Sequence, residues 1–509
     1  MHRRVPAGYG GRNSTGSAPA RTRPRPRRRL RAAAVGAIVA AGLLGGAATA
    51  PARAAAPSPY GPGHGDPELQ RALADLVGAP GGPPGAIAIL TRDGVRQVYR
   101  AGTAEVGTDR RPRPDDHMRI ASVAKAFSGA VALSLVDRRA LDLDDTIGRR
   151  LPHLPVAWHA VTLRQLLQHT SGLPDYSRSQ AFQDIVRADP RHHFDSRRLL
   201  DFVADQPLGF PPGSRYAYSN SDNIAVALMA EQATGRPYES LLRQLVYRPL
   251  DLTATSLPQG YLLPRPFLHG YFTAPGEQPE DVSEAVSASG AWASGGIVST
   301  PADLSRFIGG YAGPELLTPT TRRAQQDFLP GGASEPAGPG ANAAGLGLFR
   351  YTTRCGTVLG HTGNTPGYTQ FAAATRDGRR TVTVSITSQA TLNPSLLARL
   401  RATEERFVCA LLGDLGPGHW GGAPVEAPAQ ARRTAYPRYV TTGRPSGWST
   451  MSTRAGSCSS VSVPRLRPRV ARTRLRTSRG LNDETSRADS PARSRTSASS
   501  AGRRRRWAA

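Results

Sequence analysis

The chain has 509 residues, 39% of them hydrophobic, enough for one large domain or two ordinary ones with a sizeable core. Its formal charge of +27 suggests a nucleic-acid binder only until the charge is located. Residues 1–54 carry +11, residues 413–509 carry +14, and the middle keeps only +2, which excludes polyanion binding as the work of an ordinary near-neutral centre.

Residues 1–31 are polar and rich in arginine, Ala32 to Ala50 is small and apolar, and Ala52-Arg53-Ala54 follows. A basic region, an apolar region and an Ala-x-Ala site together read as a secretory signal. Residues 1–54 are therefore expected to be an export segment, leaving a secreted, extracellular chain without a stable membrane anchor. Arg28-Arg29-Leu30 matches twin-arginine export only in part, so the route stays open.

Asp66-Pro67 makes a helix start, Leu69, Leu73, Leu76 and Val77 keep helical spacing, and Gly78 can stop the helix. Ala86 to Thr91 and Val95 to Tyr99 flank Asp93-Gly94, a hairpin signal. Next comes Ile120-Ala121-Ser122-Val123-Ala124-Lys125, opening an apolar run that reaches Val136. Lys125 is the one lysine in the chain, against 64 arginines. Lysine can lose its proton when buried, and a guanidinium cannot. Three residues apart on a helix, Ser122 and Lys125 share a face, which sets a potential base beside a potential nucleophile. The run carries no other charge and is apolar nearly all round, the pattern of a buried helix. Burial would lower the Lys125 pKa, and Ser122 in the first turn would gain from the helix dipole.

Further on, residues 161–173 read as a short helix with a glycine-bearing exit, and Tyr216 to Asn220 lead into a helix from about Asp222 to Thr234, closed by Gly235. Gly295 to Asp303 reads as a loop and helix start, and residues 330–345 as a Gly/Pro/Ala-rich loop. A second hairpin, Phe371 to Thr375 and Val382 to Thr387, flanks Asp377-Gly378. A last amphipathic helix carries Leu396, Leu400, Phe407, Val408 and Leu411. The simplest architecture is α+β. The two distant hairpins share one antiparallel sheet flanked by the N- and C-terminal helices, and the mainly helical insert, about residues 105–340, forms a second lobe. Residues 55–412 make up this domain, with the ligand cleft expected between its lobes. Residues 413–509 are rich in Arg, Ser and Pro and read as a disordered tail.

In an oxidising compartment Cys355 and Cys409 can pair, leaving Cys458 in the tail. No cysteine or histidine group has metal-ligand spacing, so neither a metal nor a cofactor is expected.

Three short elements then line up in order: Ser122-Val123-Ala124-Lys125, Tyr218-Ser219-Asn220 and His361-Thr362-Gly363. Their flanks are His169-Thr170-Ser171-Gly172-Leu173 and Asn364-Thr365-Pro366-Gly367-Tyr368. On these residues the chain resembles the serine β-lactamase and penicillin-binding superfamily, over about residues 68–412. Its look is nearest to the class C β-lactamase-like group, with its secreted D-alanyl-D-alanine carboxypeptidases and related esterases. The resemblance implies a β-lactamase/transpeptidase-like fold and an acyl-enzyme on Ser122. Lys125 would help take the serine proton. Tyr218 would be a second base or relay, its phenol pKa lowered by the lysine charge. Asn220 would hydrogen-bond the substrate amide, and His361, Thr362 and Gly363 would border the cleft with Thr362 near a substrate carboxylate. The N–H groups of Ser122 and Asn364 would form the oxyanion hole. The Cys355 and Cys409 pair is also similar to that of secreted carboxypeptidases.

Three departures bear on the substrate, one of them Asn364 rather than threonine after His-Thr-Gly. His361 stands where many β-lactamases have lysine, which leans toward the peptidase and esterase side. In similar carboxypeptidases an arginine for the terminal carboxylate follows a Gly-Leu-Gly-Leu run. Here Gly345-Leu346-Gly347-Leu348 is followed by Phe349, and Arg350 comes one position later. The expected activity is a serine-type D-alanyl-D-alanine carboxypeptidase on cell-wall peptides, with β-lactams or esters as alternative substrates and no nucleic-acid partner. A non-enzymatic β-lactam or peptidoglycan sensor, and a polyanion binder using the Arg-rich ends, are the readings from other classes.

Overall fold

The computed structural model describes residues 65–92 and 94–413. The expected export segment, the expected tail with Cys458, and Asp93 lie outside the described residues. The first helix, Pro67–Val77, starts where Asp66 caps the Glu68 N–H at 2.8 Å with proline in the first turn. It buries Leu69, Leu73 and Leu76.

The first hairpin, Gly85–Arg92 with Val95–Gly102, turns at Gly94, whose φ of +81° suits glycine. Gly85–Arg92 also pairs antiparallel with Thr381–Ile386, Ala86 opposite Ile386, and so joins the start of the chain to its far end. From that junction the sheet continues through Tyr368–Ala374, Gly356–Thr365, Phe349–Thr353, Ala341–Ala344 and Leu329–Pro330, eight antiparallel strands in all.

Side chains alternate across this sheet and divide the core. On one side Ala86, Ala88, Leu90, Val358, Phe371 and Val384 pack with Leu73 of the first helix and Leu400, Phe407 and Val408 of the last, Pro394–Leu412. On the other side Ile87, Leu359, Ala372 and Ala374 meet the helical lobe. At the centre of that lobe lies Ala124–Asp137, buried at every residue from Ala124 to Leu135, with Phe127 stacked on Phe307 at 3.5 Å. A helix enclosed this completely needs an all-round apolar surface, and its sequence supplies one.

Three local expectations need correction. Ser122 lies in a 3-10 turn, Ala121–Val123, and the α-helix begins only at Ala124; Ala121 takes φ +48°, which breaks regular helix before the serine. The 330–345 stretch is not all loop, since Ala341–Ala344 forms a strand on Phe349–Thr353, a short hairpin that a Gly/Ala composition hides. The helix expected from Asp222 starts at Asn220, with Gly235 closing it at φ +65°.

Cys355, in the turn before Gly356–Thr365, is joined by a disulfide to Cys409 in the last helix. The bridge closes a loop of sequence separation 54, worth on the order of 4 kcal/mol by the chain-entropy relation. The double variant Cys355→Ala/Cys409→Ala should lose about that much in urea unfolding. An unchanged midpoint would mean the loop is held by packing alone.

Candidate active site

The nucleophile turn is clamped from both sides. Ile120 N–H donates to Ile297 O at 3.2 Å, and Ser122 follows the strained Ala121 at the mouth of the buried helix. One turn on, Lys125 is fully buried. Its Nζ lies 2.7 Å from Asn220 Oδ1, 2.7 Å from Ser294 O and 3.1 Å from Ser122 Oγ. Two of these three partners can only accept hydrogen bonds. They fix two N–H bonds of the amine, so the remaining tetrahedral position points at the serine oxygen. When the amine is neutral that position is its lone pair, aimed at the hydroxyl proton. Burial is the main cause that brings the Lys125 pKa from 10.5 down to about 7, against the opposing charges of Asp175, Glu335 and Asp222.

Tyr218 approaches from the strand-like entry to the Asn220–Thr234 helix, its ring centroid 4.9 Å from Lys125 Nζ. The same ring lies 4.5 Å from that of His169, tilted by 37°. His169 sits at φ +57°, and its Nδ1 is 2.7 Å from Asp222 Oδ2, whose other oxygen accepts from Ser171 Oγ at 2.5 Å. Burial raises the Asp222 carboxyl and takes His169 down to about 3, favouring the neutral forms of both. The His-Thr-Ser-Gly-Leu segment is thus a buried polar wedge that holds the tyrosine.

The third element lies on the strand Gly356–Thr365. Gly363 presses against the nucleophile turn. A Cβ there would enter the Ile120 carbonyl oxygen and stand 3.1 Å from Ser122 N. His361 is buried against Phe349 at 5.0 Å, with Nδ1 2.6 Å from Thr362 O, and burial takes its pKa down to about 3. Thr362 Oγ1 is engaged by Ser334 Oγ at 2.8 Å and Pro336 O at 2.5 Å. Asn364 spends its side chain on Thr391 Oγ1 at 2.8 Å and Thr369 Oγ1 at 3.2 Å. Asn220 Nδ2 donates to Asp175 Oδ2 at 3.1 Å and Ser177 Oγ at 3.0 Å. Ser122, Lys125, Tyr218, Asn220 and Gly363 therefore converge, whereas the polar side-chain atoms of Thr362, Asn364 and Asn220 are held by protein groups. Among the described residues no cluster of three or more His, Cys, Asp or Glu could hold a metal.

The sequence model of the family described as Beta-lactamase matches residues 70–405, from the first helix into the last. The chain belongs to the Beta-lactamase family. Its relatives in that family span several names. It is 25% identical over 318 residues to a penicillin-binding protein of Bacillus subtilis (strain 168), covering 58% of this chain and 66% of that one. It is 28% identical over 233 residues to the D-alanyl-D-alanine-carboxypeptidase/endopeptidase AmpH of Escherichia coli (strain K12), covering 44% and 57%. The chain thus spans less than two thirds of the length of either relative. Among solved structures, a D-stereospecific amidohydrolase from Streptomyces sp. superposes with a TM-score of 0.57 at 27% identity, over 65% of this chain and 97% of that one. The β-lactamase/transpeptidase-like fold is shown by that match.

Within this family frame, sequence reasoning missed Ser294, Asp175, Ser177 and the His169–Asp222 pair. Ser294 contributes a backbone carbonyl, which no side-chain motif can flag. Its one visible signal is the Gly295-Gly296 pair that ends the short helix Trp292–Gly295. Three of the five non-glycine residues with positive φ among the described residues, Ala121, His169 and Trp292, fall at this site or on an element that builds it. Strained backbone concentrates where geometry is over-determined.

Proposed function

We propose that the protein is a serine hydrolase that works through an acyl-enzyme on Ser122. The observation that supports this most directly is the threefold engagement of Lys125 Nζ. Two partners can only accept and Ser122 Oγ is 3.1 Å away, so that the neutral amine would turn its lone pair to the serine hydroxyl. Ser122 Oγ attacks the substrate carbonyl carbon, its proton passes to Lys125, and the carbonyl electron pair moves onto oxygen. The N–H groups of Ser122 and Asn364 are the proposed donors to that oxyanion. On collapse the C–N bond breaks, and the leaving amine takes a proton by way of Lys125 and Tyr218. Water then cleaves the Ser122 ester by the same steps in reverse order, restoring the hydroxyl.

The substrate class that fits best is a D-alanyl-D-alanine cell-wall peptide. The family, its carboxypeptidase relative AmpH and the secretory pattern of residues 1–54 all support it. The proposal includes export across the cytoplasmic membrane, which the Cys355–Cys409 disulfide also supports. A second reading, a neutral D-amino acyl amide or ester, is favoured by Phe349, which fills the place after Gly-Leu-Gly-Leu and packs on His361. Arg350 instead lays its guanidinium over Phe328 at 5.0 Å.

Rates on an acylated tripeptide ending in D-alanyl-D-alanine, a D-amino acid amide, a p-nitrophenyl ester and a penicillin test the choice. D-Alanine release faster than all other turnover is the expected result. Turnover of the amide or ester with none of the peptide would establish the second reading.

A further inference from the structure

The segment Pro174–Arg178 belongs to none of the motif residues, yet it holds both carbonyl acceptors of Lys125. Tyr176 donates its hydroxyl to Gly290 O at 2.8 Å and lies 3.2 Å from Ser294 Oγ, bracing the short helix whose Ser294 carbonyl faces the amine. Beside it, Asp175 Oδ2 accepts from Asn220 Nδ2 at 3.1 Å, while its Oδ1 is anchored by Ser177 N at 3.0 Å and Ser177 Oγ at 2.8 Å. The Asp175 side chain is 6% exposed.

An asparagine amide has two orientations that differ by half a turn. In the one seen here Oδ1 faces Lys125 and Nδ2 faces Asp175. Turned over, Oδ1 would meet a carboxylate oxygen and Nδ2 would bring hydrogens against the amine N–H bonds. Lys125 would lose one of its two carbonyl acceptors, and its lone pair would no longer be held on Ser122. We infer that Asp175 is a positioning residue for Lys125, acting through the side-chain amide of Asn220. The inference rests on the acyl-serine reading above.

The charge of Asp175 acts on the same amine. The titratable and charged groups around Lys125 are Asp175 and Arg178 from this segment, Asp222 from the Asn220–Thr234 helix, Glu335, His169, Tyr218 and His361. Asp175 is the largest of the charges that hold the lysine pKa up against burial. Its removal therefore extends the neutral amine to lower pH.

The test is the rate of Ser122 acylation by a p-nitrophenyl ester in the full chain, measured from pH 5.5 to 9, with the adduct located by mass spectrometry. Asp175→Ala should lower the plateau rate about 10²-fold with KM little changed, as a mis-set base does. Asp175→Asn keeps an acceptor for Asn220 Nδ2 and should recover most of that loss. Both should move the acid limb to lower pH, by about half a unit to one unit for a single lost charge. A wild-type plateau and limb in Asp175→Ala would overturn the inference. So would equal losses in both variants with the limb unmoved, the mark of a loop that merely collapses. Absence of any Ser122 adduct in the wild type would instead overturn the acyl-serine reading, and this inference with it.

Discussion

Replacing Lys125 by methionine should lower the acylation rate of Ser122 by about 10³-fold, the scale of a lost general base. The same change should alter the pH dependence of stability. The amine is fully buried and its pKa is brought from 10.5 down to about 7. Between those two values the unfolded chain binds a proton that the folded chain does not, so wild-type stability rises with pH across the window. Below pH 7 the folded lysine carries its full desolvation cost, roughly 5 kcal/mol on the usual conversion. Above 10.5 the cost is gone. Methionine has no such titration. The stability of Lys125→Met relative to wild type should therefore be most favourable at pH 6 and fall by several kcal/mol toward pH 10. Urea unfolding at pH 6, 8 and 10 measures it, and a difference independent of pH would mean that the lysine is not neutralised by burial. In the wild type the same shift puts the acid limb of kcat/KM near pH 7.

Gly363→Ala should cost about 10²-fold in kcat/KM, because the added methyl crowds the nucleophile turn and the proposed oxyanion donor Ser122 N–H. The new Cβ would overlap the Ile120 carbonyl oxygen and crowd Ser122 N and Ala121 Cβ, at 3.1 and 3.2 Å. All are backbone or Cβ atoms, so none can swing aside. The strand must retreat from the nucleophile turn, and a shift on the order of 1 Å is enough to lose two orders of magnitude. Stability should fall by about 1–3 kcal/mol, as for other overpacked sites. Steady-state kinetics together with urea unfolding check this. Activity within twofold of wild type would show that the strand and the turn are not in the contact described.

The elements that were legible in the sequence are those whose signal is local. The Asp66-Pro67 start, the two Asp-Gly turns and the Lys125 helix each carry their pattern within a few residues. The pairing of Gly85–Arg92 with Thr381–Ile386 followed because two hairpins without a sheet of their own needed one another. The strands Phe349–Thr353 and Ala341–Ala344 carry no such signal: they are short, and their turns, with Thr353 opposite Gly356 and Ala344 opposite Phe349, lack the Asp-Gly pair that marks the other two hairpins. The same division holds within the site. Ser122 and Lys125 could be read from a three-residue spacing and a single lysine, and Tyr218 and Asn220 from the resemblance. The groups that set the lysine's geometry, Ser294 O and Asp175, could not. One is a main-chain atom and the other acts across a 45-residue gap to Asn220.

The measurement that bears most directly on the proposed chemistry is time-resolved mass spectrometry of the full chain with benzylpenicillin and with a p-nitrophenyl ester. The expected result is a covalent acyl adduct of one or both on the peptide containing Ser122, absent in Ser122→Ala and slowed in Lys125→Met. Substrate turnover with an adduct on another residue, or with full activity retained in Ser122→Ala, would contradict the acyl-serine mechanism.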